Sequence, residues 1–554
     1  VFLLSTPLLS ILCWMEAKNL LEFEEVTLVD QIIVNTKLSG KPLYPMWRKC
    51  VGAGRANEGL RANWLEQLEL AVKSCGFEYI RFHGLLHDDM CLFRIIDGVP
   101  VYNWQYVDEL FDRLLEIGIR PFVEFGFCPI DMASGIETQF WWKGNITPPS
   151  NLKDWANLIE KLVEHWRDRY GIDEIRKWYY EVWNEPNLSA FWTGTRSQYF
   201  ELYKTTVMAV KKVDSKLRVG GPATSNFVPD DRFEGEREDV SRHLTFRMEN
   251  VDETNWRPVW VAEFLAYCEQ EVLPVDFVST HPYPTDFALD GYGKTEGFSR
   301  TVHSTRNDLF VLRQIVSESA YPQAEIHLSE WSSSPSPRDH SHDHLPAAAF
   351  VVKANLDATP LADSLSYWVF SDVFEEGGAG ASIFHGGFGL INFQGIAKPT
   401  FHAYRLLNQL GDEELLRKEK VIITRKSEDG SIRALFYHYD DQSVPSAVPL
   451  AATQEKALDI QRKGTASHVG IHLTALEPFA SFELEHINET SGYAVPAWIG
   501  MGNPEPPNRQ QTIELREKAE FTEKYVVRAS EQGELIIQIN LAPWELVSLT
   551  QIIK

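Results

Sequence analysis

Cysteine is scarce in this chain: six residues in 554, at positions 13, 50, 75, 91, 128 and 268. No two form a CxxC pair, so the expectation is free, mostly buried thiols and not a disulfide framework. Positive charge is also short. Lys and Arg total 53 against 78 Asp and Glu, for a net charge of −25. A surface of that sign repels phosphate backbones, which argues against nucleic acid as a partner. Basic tracts are missing. The glycine-rich "GAGRANEG" lacks the spacing and the strand–helix context of a dinucleotide site, and is expected to make a tight turn at the end of a first strand. Long apolar runs are missing beyond the opening "VFLLSTPLLSILCWM", which is too short and too interrupted for a membrane span. It resembles the apolar core of a secretory signal, but neither an initiator Met nor a basic leader precedes it. Residues 1–25 are therefore expected to be a signal-like or leader segment: secreted or periplasmic if a signal, cytoplasmic otherwise. No repeat is found, and "SSSPSP" (332–337) is the one low-complexity tract.

Aromatic residues, by contrast, are plentiful, with 17 Trp, 19 Tyr and 31 Phe. They stack on sugars and they also fill cores, so composition leaves that choice open. Hydrophobic content of 44% and charged content of 24% are ordinary for a soluble globular protein. The length suits one large domain of about 250–400 residues and a smaller one.

The middle of the chain alternates strand-like and helix-like segments. "CVGAGR" (50–55), "EYIRFHG" (78–84), "RPFVEFGF" (120–127), "WYYEVWNEP" (178–186), "LRVGGPA" (217–223), "VDFVSTHPYP" (275–284), "EIHLSEW" (325–331) and "LSYWVFSDV" (365–373) read as short buried strands. Trp64, Leu65, Leu68, Val72 and Cys75 recur at helical spacing and stop at Gly76. Val107, Leu110, Phe111, Leu114 and Leu115 do the same and stop at Gly118. A third stripe runs from Leu152 to Trp166, with Ser150 as the expected N-cap. Alternating strands and helices imply a parallel sheet, and eight units favour a closed (β/α)8 TIM barrel over residues 45–412. The charge-rich segment 225–262 is expected to be an insertion near its mouth. After about residue 412, alternating strands separated by turns such as Asp429-Gly430 suggest a C-terminal antiparallel β-sandwich over 413–554. A strand within 26–44 is expected to join that sandwich, and 497–511 reads as a loop.

Two strand ends finish on a glutamate: "EVWNEPN" at Glu185 and "IHLSEW" at Glu330. On a closed barrel a fourth and a seventh strand face each other across the mouth, where the chemistry of this architecture sits. Two carboxyls converging on one point suit glycoside hydrolysis, one protonating the departing oxygen and the other attacking the anomeric carbon or activating water. Each glutamate alone reads as a salt-bridged strand-end residue; the matched pair reads as catalytic. Asn184, beside Glu185, is placed to hold a sugar hydroxyl.

The stretches "KCVGAGRANEGLRANW", "RFHGLLHDDM", "VWNEPNL", "FVSTHPYP", "LSEW", "YWVFSDVFEE" and "FHGGFGLIN…GIAKPTFHAY" resemble glycoside hydrolase family 39, which holds β-xylosidases and α-L-iduronidases. The resemblance runs in order from about residue 45 to the end, with 225–262 as the main departure. "NEP" is shared by a whole clan of barrel glycosidases; "FSDVFEE" and "HGGFGLIN" are narrower and lie closer to the β-xylosidase branch. The resemblance implies a retaining mechanism without cofactor or metal, with Glu185 as acid/base and Glu330 as nucleophile. His83, Asn184, His281, Tyr283, Trp368, Glu375 and Glu376 fall on positions that line the family's sugar pocket. Tyr283 is placed to orient the nucleophile, and His281 and His83 to bind hydroxyls or tune Glu185. Trp368 is placed as an apolar platform, and Glu375 and Glu376 to accept bonds from sugar hydroxyls. Each also reads as an ordinary structural residue: a core tyrosine, satisfied histidines, a core tryptophan, a solvated acidic loop. An acidic pair opposes a uronic acid and suits neutral xylose. The expectation is an exo-acting β-xylosidase that takes xylo-oligosaccharides; its oligomeric state is left open, with the sandwich as the candidate interface for a homo-oligomer. The rivals are an α-L-iduronidase, a β-glycosidase of another neutral sugar, a non-catalytic carbohydrate-binding barrel, and a metal hydrolase built on "DHSHDH" (339–344), whose His340, His342 and His344 alternate with acidic residues. The sequons at Asn145 and Asn488 decide nothing.

Overall fold

The computed structural model describes residues 32–242, 255–286, 297–374 and 376–553. The leader 1–25, part of the 26–44 segment, residues 243–254 of the insertion, and Glu375 therefore lie outside the described residues.

Eight parallel strands close on themselves: β1 (Cys50–Arg55), β2 (Tyr79–His83), β3 (Arg120–Phe125), β4 (Tyr179–Val182), β5 (Arg218–Ser225), β6 (Phe277–His281), β7 (Glu325–Trp331) and β8 (Ser364–Tyr367). Each strand pairs with the next, and Tyr367 of β8 meets Val51 of β1 to close the ring. Parallel neighbours need crossovers. These are the helices α1 (Ala62–Cys75), α2 (Gln105–Ile117), α3 (Leu152–Tyr170), α4 (Arg196–Val213), α5 (Val261–Gln270), α6 (Ser304–Glu318) and α7 (Leu345–Ala358); α8 (Pro399–Asn408) follows the last strand. Helices α1 and α2 stop at Gly76 and Gly118, whose φ of 71° and 91° glycine adopts without a Cβ penalty. The cap of α3 is Asn151, whose side chain accepts the Lys153 amide, and not the expected Ser150; the Ser150 hydroxyl instead donates to the Met132 carbonyl.

The two faces of the strands differ in kind. Ile80, Phe82, Val123, Phe125, Val278, Ile326 and Leu328 pack outward with helix residues such as Leu68, Leu110 and Leu158 in one apolar cluster. Inside, Cys50, Tyr79, Phe122, Tyr179 and Phe277 form a separate floor. The next inward positions up three of these strands are Arg81, Glu124 and Glu181, which touch one another. Above them stand His83 and His281. "GAGRANEG" is the upper half of β1 followed by a 3-10 turn from Ala56 to Leu60, so the expected turn at the strand end covers only its second half. A Cβ on Gly52 would stand 2.4 Å from the Trp368 ring, so this glycine lets a tryptophan lie against the backbone of β1.

The C-terminal part holds a seven-stranded antiparallel sheet whose successive strands are Lys41–Pro42, Glu413–Lys418, Val421–Arg425, Ile432–Tyr437, Leu546–Ile552, Ser481–Ile487 and Glu523–Arg528. Ile32–Asn35, Ser467–Thr474 and Leu535–Leu541 make a three-stranded sheet, with Ile32–Asn35 running parallel to its neighbour. Both sheets contribute to one apolar cluster, among others Ile423, Phe436, Ile471, Ile537 and Leu549. The stretch expected as a loop over 497–511 is instead the end of one helix, a turn, and the start of a second helix, Arg509–Glu520, capped by Asn508. Cys50, Cys75, Cys91, Cys128 and Cys268 are free, and all but Cys91 are buried. Among the described residues, no helix is long and apolar enough to cross a membrane.

Candidate active site

Strand β4 ends at Val182, and the backbone then turns sharply: Trp183 and Glu185 hold φ of 69° and 46°. Non-glycine residues adopt this left-handed region at a cost of about 1 kcal/mol or more. Hydrogen bonds to neighbouring strands hold the turn, Trp183 N–H to Phe125 O and Glu185 N–H to Ala223 O. The carboxyl of Glu185 is thereby aimed into the barrel mouth. Glu330 reaches the same space from β7. One oxygen of Glu185 lies within 4.8 Å of one oxygen of Glu330.

Their surroundings differ. Burial pushes the Glu185 carboxyl up to about 7, against the opposing pull of a Ser225 hydrogen bond and of His83 and Arg81. His281 Nδ1 lies 2.9 Å from Glu185 Oε1. Glu330 has charged and neutral donors on separate oxygens: Arg81 Nη1 donates to Oε1 at 2.7 Å, and the Tyr283 hydroxyl to Oε2 at 3.2 Å. The environment thus raises one carboxyl, while the other accepts from two donors.

Arg81 is the hub beneath both. It is fully buried and contacts Glu181 at 2.5 Å, Glu330 at 2.7 Å, Asn184 Oδ1 at 2.9 Å and Glu124 at 3.0 Å. His83 Nδ1 meets Glu124 at 2.6 Å while Nε2 faces Glu330 at 3.4 Å and Glu376 at 3.7 Å. Burial opposes protonation of His83, but Glu124 outweighs it and holds the imidazole above its ordinary range. Burial and the nearby Glu330 raise Glu376 well above the usual carboxylate range.

A cavity of about 380 Å³ is lined by His83, Asn184, Glu185, Tyr283, Glu330, Trp368 and Glu376, with Phe191, Asn226, Arg232 and Asp286 on its outer wall. Trp368 packs on His83, ring centres 4.7 Å apart. The Asn184 Nδ2 donor is buried and, among the described residues, has no hydrogen-bond partner. His281 does not line the cavity as expected. It is fully buried, and both ring nitrogens are engaged, by Glu185 and by Ser329 at 3.0 Å, which leaves it a role on Glu185 and none on sugar hydroxyls. "DHSHDH" is neither a loop nor a ligand set. His340–Asp343 form a 3-10 turn leading into α7, and the three histidines reach separate partners: His340 to Gln454, His342 to Gly386 O, His344 to Tyr493. Asp343 and Asp372 clamp the buried Lys398 at 2.8 and 2.7 Å.

Arg81, Glu124, Glu181 and Ser329 were not anticipated from sequence. The available signal was charge inside apolar strands: "YIRFH", "FVEF" and "YYEV" place Arg81, Glu124 and Glu181 among core formers, each two positions after an inward aromatic. Arg232, also unanticipated, is buried in the outer wall and paired with Asp230 and Asp286.

Comparison with known proteins fits this geometry. The model of Glycosyl hydrolases family 39 matches residues 30–536. A β-xylosidase of Caldicellulosiruptor saccharolyticus is 37% identical over 91% of this chain and 94% of its own length. One of Geobacillus stearothermophilus is 35% identical over 94% of this chain and 96% of its own. The crystal structure of a monomeric β-xylosidase from Caulobacter crescentus CB15 superposes with a TM-score of 0.80 at 32% identity, covering 94% of this chain and 99% of that one. Mouse α-L-iduronidase is 28% identical over only 33% of this chain. With the whole eight-stranded barrel inside residues 30–536, the chain belongs to glycoside hydrolase family 39.

Proposed function

We propose that this glycoside hydrolase is a retaining, exo-acting β-xylosidase that removes xylose from the non-reducing end of xylo-oligosaccharides, with Glu185 as acid/base and Glu330 as nucleophile. The observation that carries the mechanism is the approach of the two carboxyls to within 4.8 Å. Retaining enzymes hold them about 5–5.5 Å apart, while inverting ones need about 6.5–9.5 Å to admit a water. In the first step Glu185 gives its proton to the glycosidic oxygen as a Glu330 oxygen attacks the anomeric carbon; the aglycone leaves and a covalent glycosyl-enzyme remains. In the second, Glu185, now a carboxylate, takes a proton from water, whose oxygen displaces Glu330. Two inversions restore the starting configuration.

The unpartnered Asn184 Nδ2 is placed to donate to a hydroxyl next to the reacting carbon, and the Trp368 ring supplies an apolar floor. Glu376 lines the same cavity and offers its carboxyl to a sugar hydroxyl. A uronic acid would need a free cation in the cavity. Arg232, the one arginine among the described residues that line it, is already taken up by Asp230 and Asp286. That favours a neutral sugar, as do the full-length matches to β-xylosidases. We read the two C-terminal sheets as a sandwich domain over 413–554 that recruits the 26–44 strand, on the strength of their common apolar cluster.

A panel of nitrophenyl glycosides tests the substrate. The β-xyloside should give the highest kcat/KM, ahead of the α-arabinoside and β-glucoside, with no turnover of the α-iduronide. Preferred turnover of the iduronide, or binding of xylo-oligosaccharides without turnover, would overturn it.

A further inference from the structure

Beneath the mouth, a continuous run of hydrogen bonds links the two carboxyls from below. Glu185 Oε1 meets His281 Nδ1 at 2.9 Å, His281 Nε2 meets Ser329 Oγ at 3.0 Å, Ser329 Oγ meets Glu181 Oε1 at 2.6 Å, Glu181 Oε2 meets Arg81 Nε at 2.5 Å, and Arg81 Nη1 meets Glu330 Oε1 at 2.7 Å. All these side chains are buried. We propose that Ser329 and Glu181 are positioning residues that hold His281 as its Nε2–H tautomer and thereby keep the catalytic proton on Glu185. This deepens the acid/base assignment of Glu185 and rests on it.

The direction of each bond follows from one end. Burial alone would raise the Glu181 carboxyl, but Arg81, which donates to it at 2.5 Å, together with His281 and the Ser279 and Ser329 hydroxyls, outweighs burial and holds the group ionised. A carboxylate only accepts, so the Ser329 hydroxyl donates to it. That uses the one hydrogen of Ser329, whose oxygen is left to accept. His281 Nε2 must then be the donor. Burial lowers the imidazole to about 4, so the ring is neutral and carries a single proton. Nδ1 is therefore a bare lone pair facing Glu185 Oε1. The contact is a hydrogen bond only when Glu185 is protonated. Once Glu185 has given its proton to the leaving oxygen, two acceptors face each other, and the carboxylate regains affinity for the proton of the incoming water. The same contact serves both halves of the reaction.

Other charges also act on this pair. His83, Arg81 and Glu124 act on Glu185, and Glu330, Arg81, Glu181 and His83 on His281. Tyr283 and Glu376 also interact with Glu185. None of them hydrogen-bonds to the imidazole nitrogens, Glu330 Oε2 standing 3.8 Å from Nδ1; Ser329 does, and a substitution there removes no charged group.

The test is the pH profile of Ser329→Ala on a xyloside with a poor leaving group. Without the hydroxyl, His281 is free to carry its proton on Nδ1 and donate to the Glu185 carboxylate, which stabilises the ionised form. The alkaline limb of kcat/KM should move down by about one pH unit, while Ser329→Thr, which keeps the hydroxyl, should hold the limb in place. A folded Ser329→Ala variant, checked by its melting curve, with an unmoved alkaline limb overturns the proposal. Neutron diffraction on the unchanged protein at neutral pH reads the tautomer without any variant: a proton on His281 Nε2 is expected, and one on Nδ1 overturns it. Glu185→Ala separates the two levels. If that variant spares activated substrates over poor ones while the Ser329→Ala limb stays put, only the relay is wrong. If it shows no leaving-group dependence, both the acid/base assignment and the relay are wrong.

Discussion

On β2, Ile80 and Phe82 face the helices, while Tyr79, Arg81 and His83 face the barrel axis. The outward face is built from independent apolar contacts. Each side chain there contributes its own burial, about 1.5–3 kcal/mol for a residue of that size. The inward face is built from charges that depend on one another. Arg81 is surrounded by Glu124, Glu181 and Glu330, and removing one member strands the rest in a place with little water. Period-two alternation thus lets a single strand carry stability on one side and chemistry on the other.

Substitutions that strike the inward face should have large effects on rate, and those on the outward face small effects on stability. The largest is Glu330→Ala, which should lower kcat on a nitrophenyl β-xyloside by about 10⁴-fold or more. Azide should partly restore turnover and give the glycosyl azide of opposite anomeric configuration; full activity without azide would remove the double displacement. Glu185→Ala should cost about 10²–10⁴-fold on alkyl xylosides and much less on activated ones, as steady-state kinetics across leaving groups will show. The same proton sets the pH dependence. Glu185 must be protonated to act, so kcat/KM on alkyl xylosides should fall as pH rises through about 7. Arg81→Met should lower stability by about 3–5 kcal/mol in a denaturant titration, because it leaves buried carboxylates uncompensated. Ile80→Val, one residue away on the other face, should cost only about 0.5–1.5 kcal/mol and leave kcat unchanged. Equal costs for these two neighbours would break the contrast.

The strands of the barrel were legible because each is a short apolar run bounded by turn residues, and the helices because their apolar stripes end at glycine. Glu185 and Glu330 stood out as carboxyls at the ends of such runs. Arg81 did not, since one arginine in a strand reads equally well as a solvent-facing residue; the partners that make it a hub come from β3, β4 and β7. His281 was visible as a histidine at a strand end, but its burial under Glu185 was not. The C-terminal strands Glu413–Lys418 and Glu523–Arg528 were missed because they are rich in charge and largely or partly exposed. Helix Arg509–Glu520 buries only Leu515 and Ala519, so its apolar stripe is faint. The Asn508–Gln511 capping box was the signal that marked its start.

The central claim is that two carboxyls brought together across the barrel mouth form and break a covalent bond to the sugar. Proton NMR of xyloside hydrolysis in its first minutes tests this directly. The account predicts that β-xylose appears first and only later mutarotates. Initial release of α-xylose would mean a single displacement by water and would contradict it.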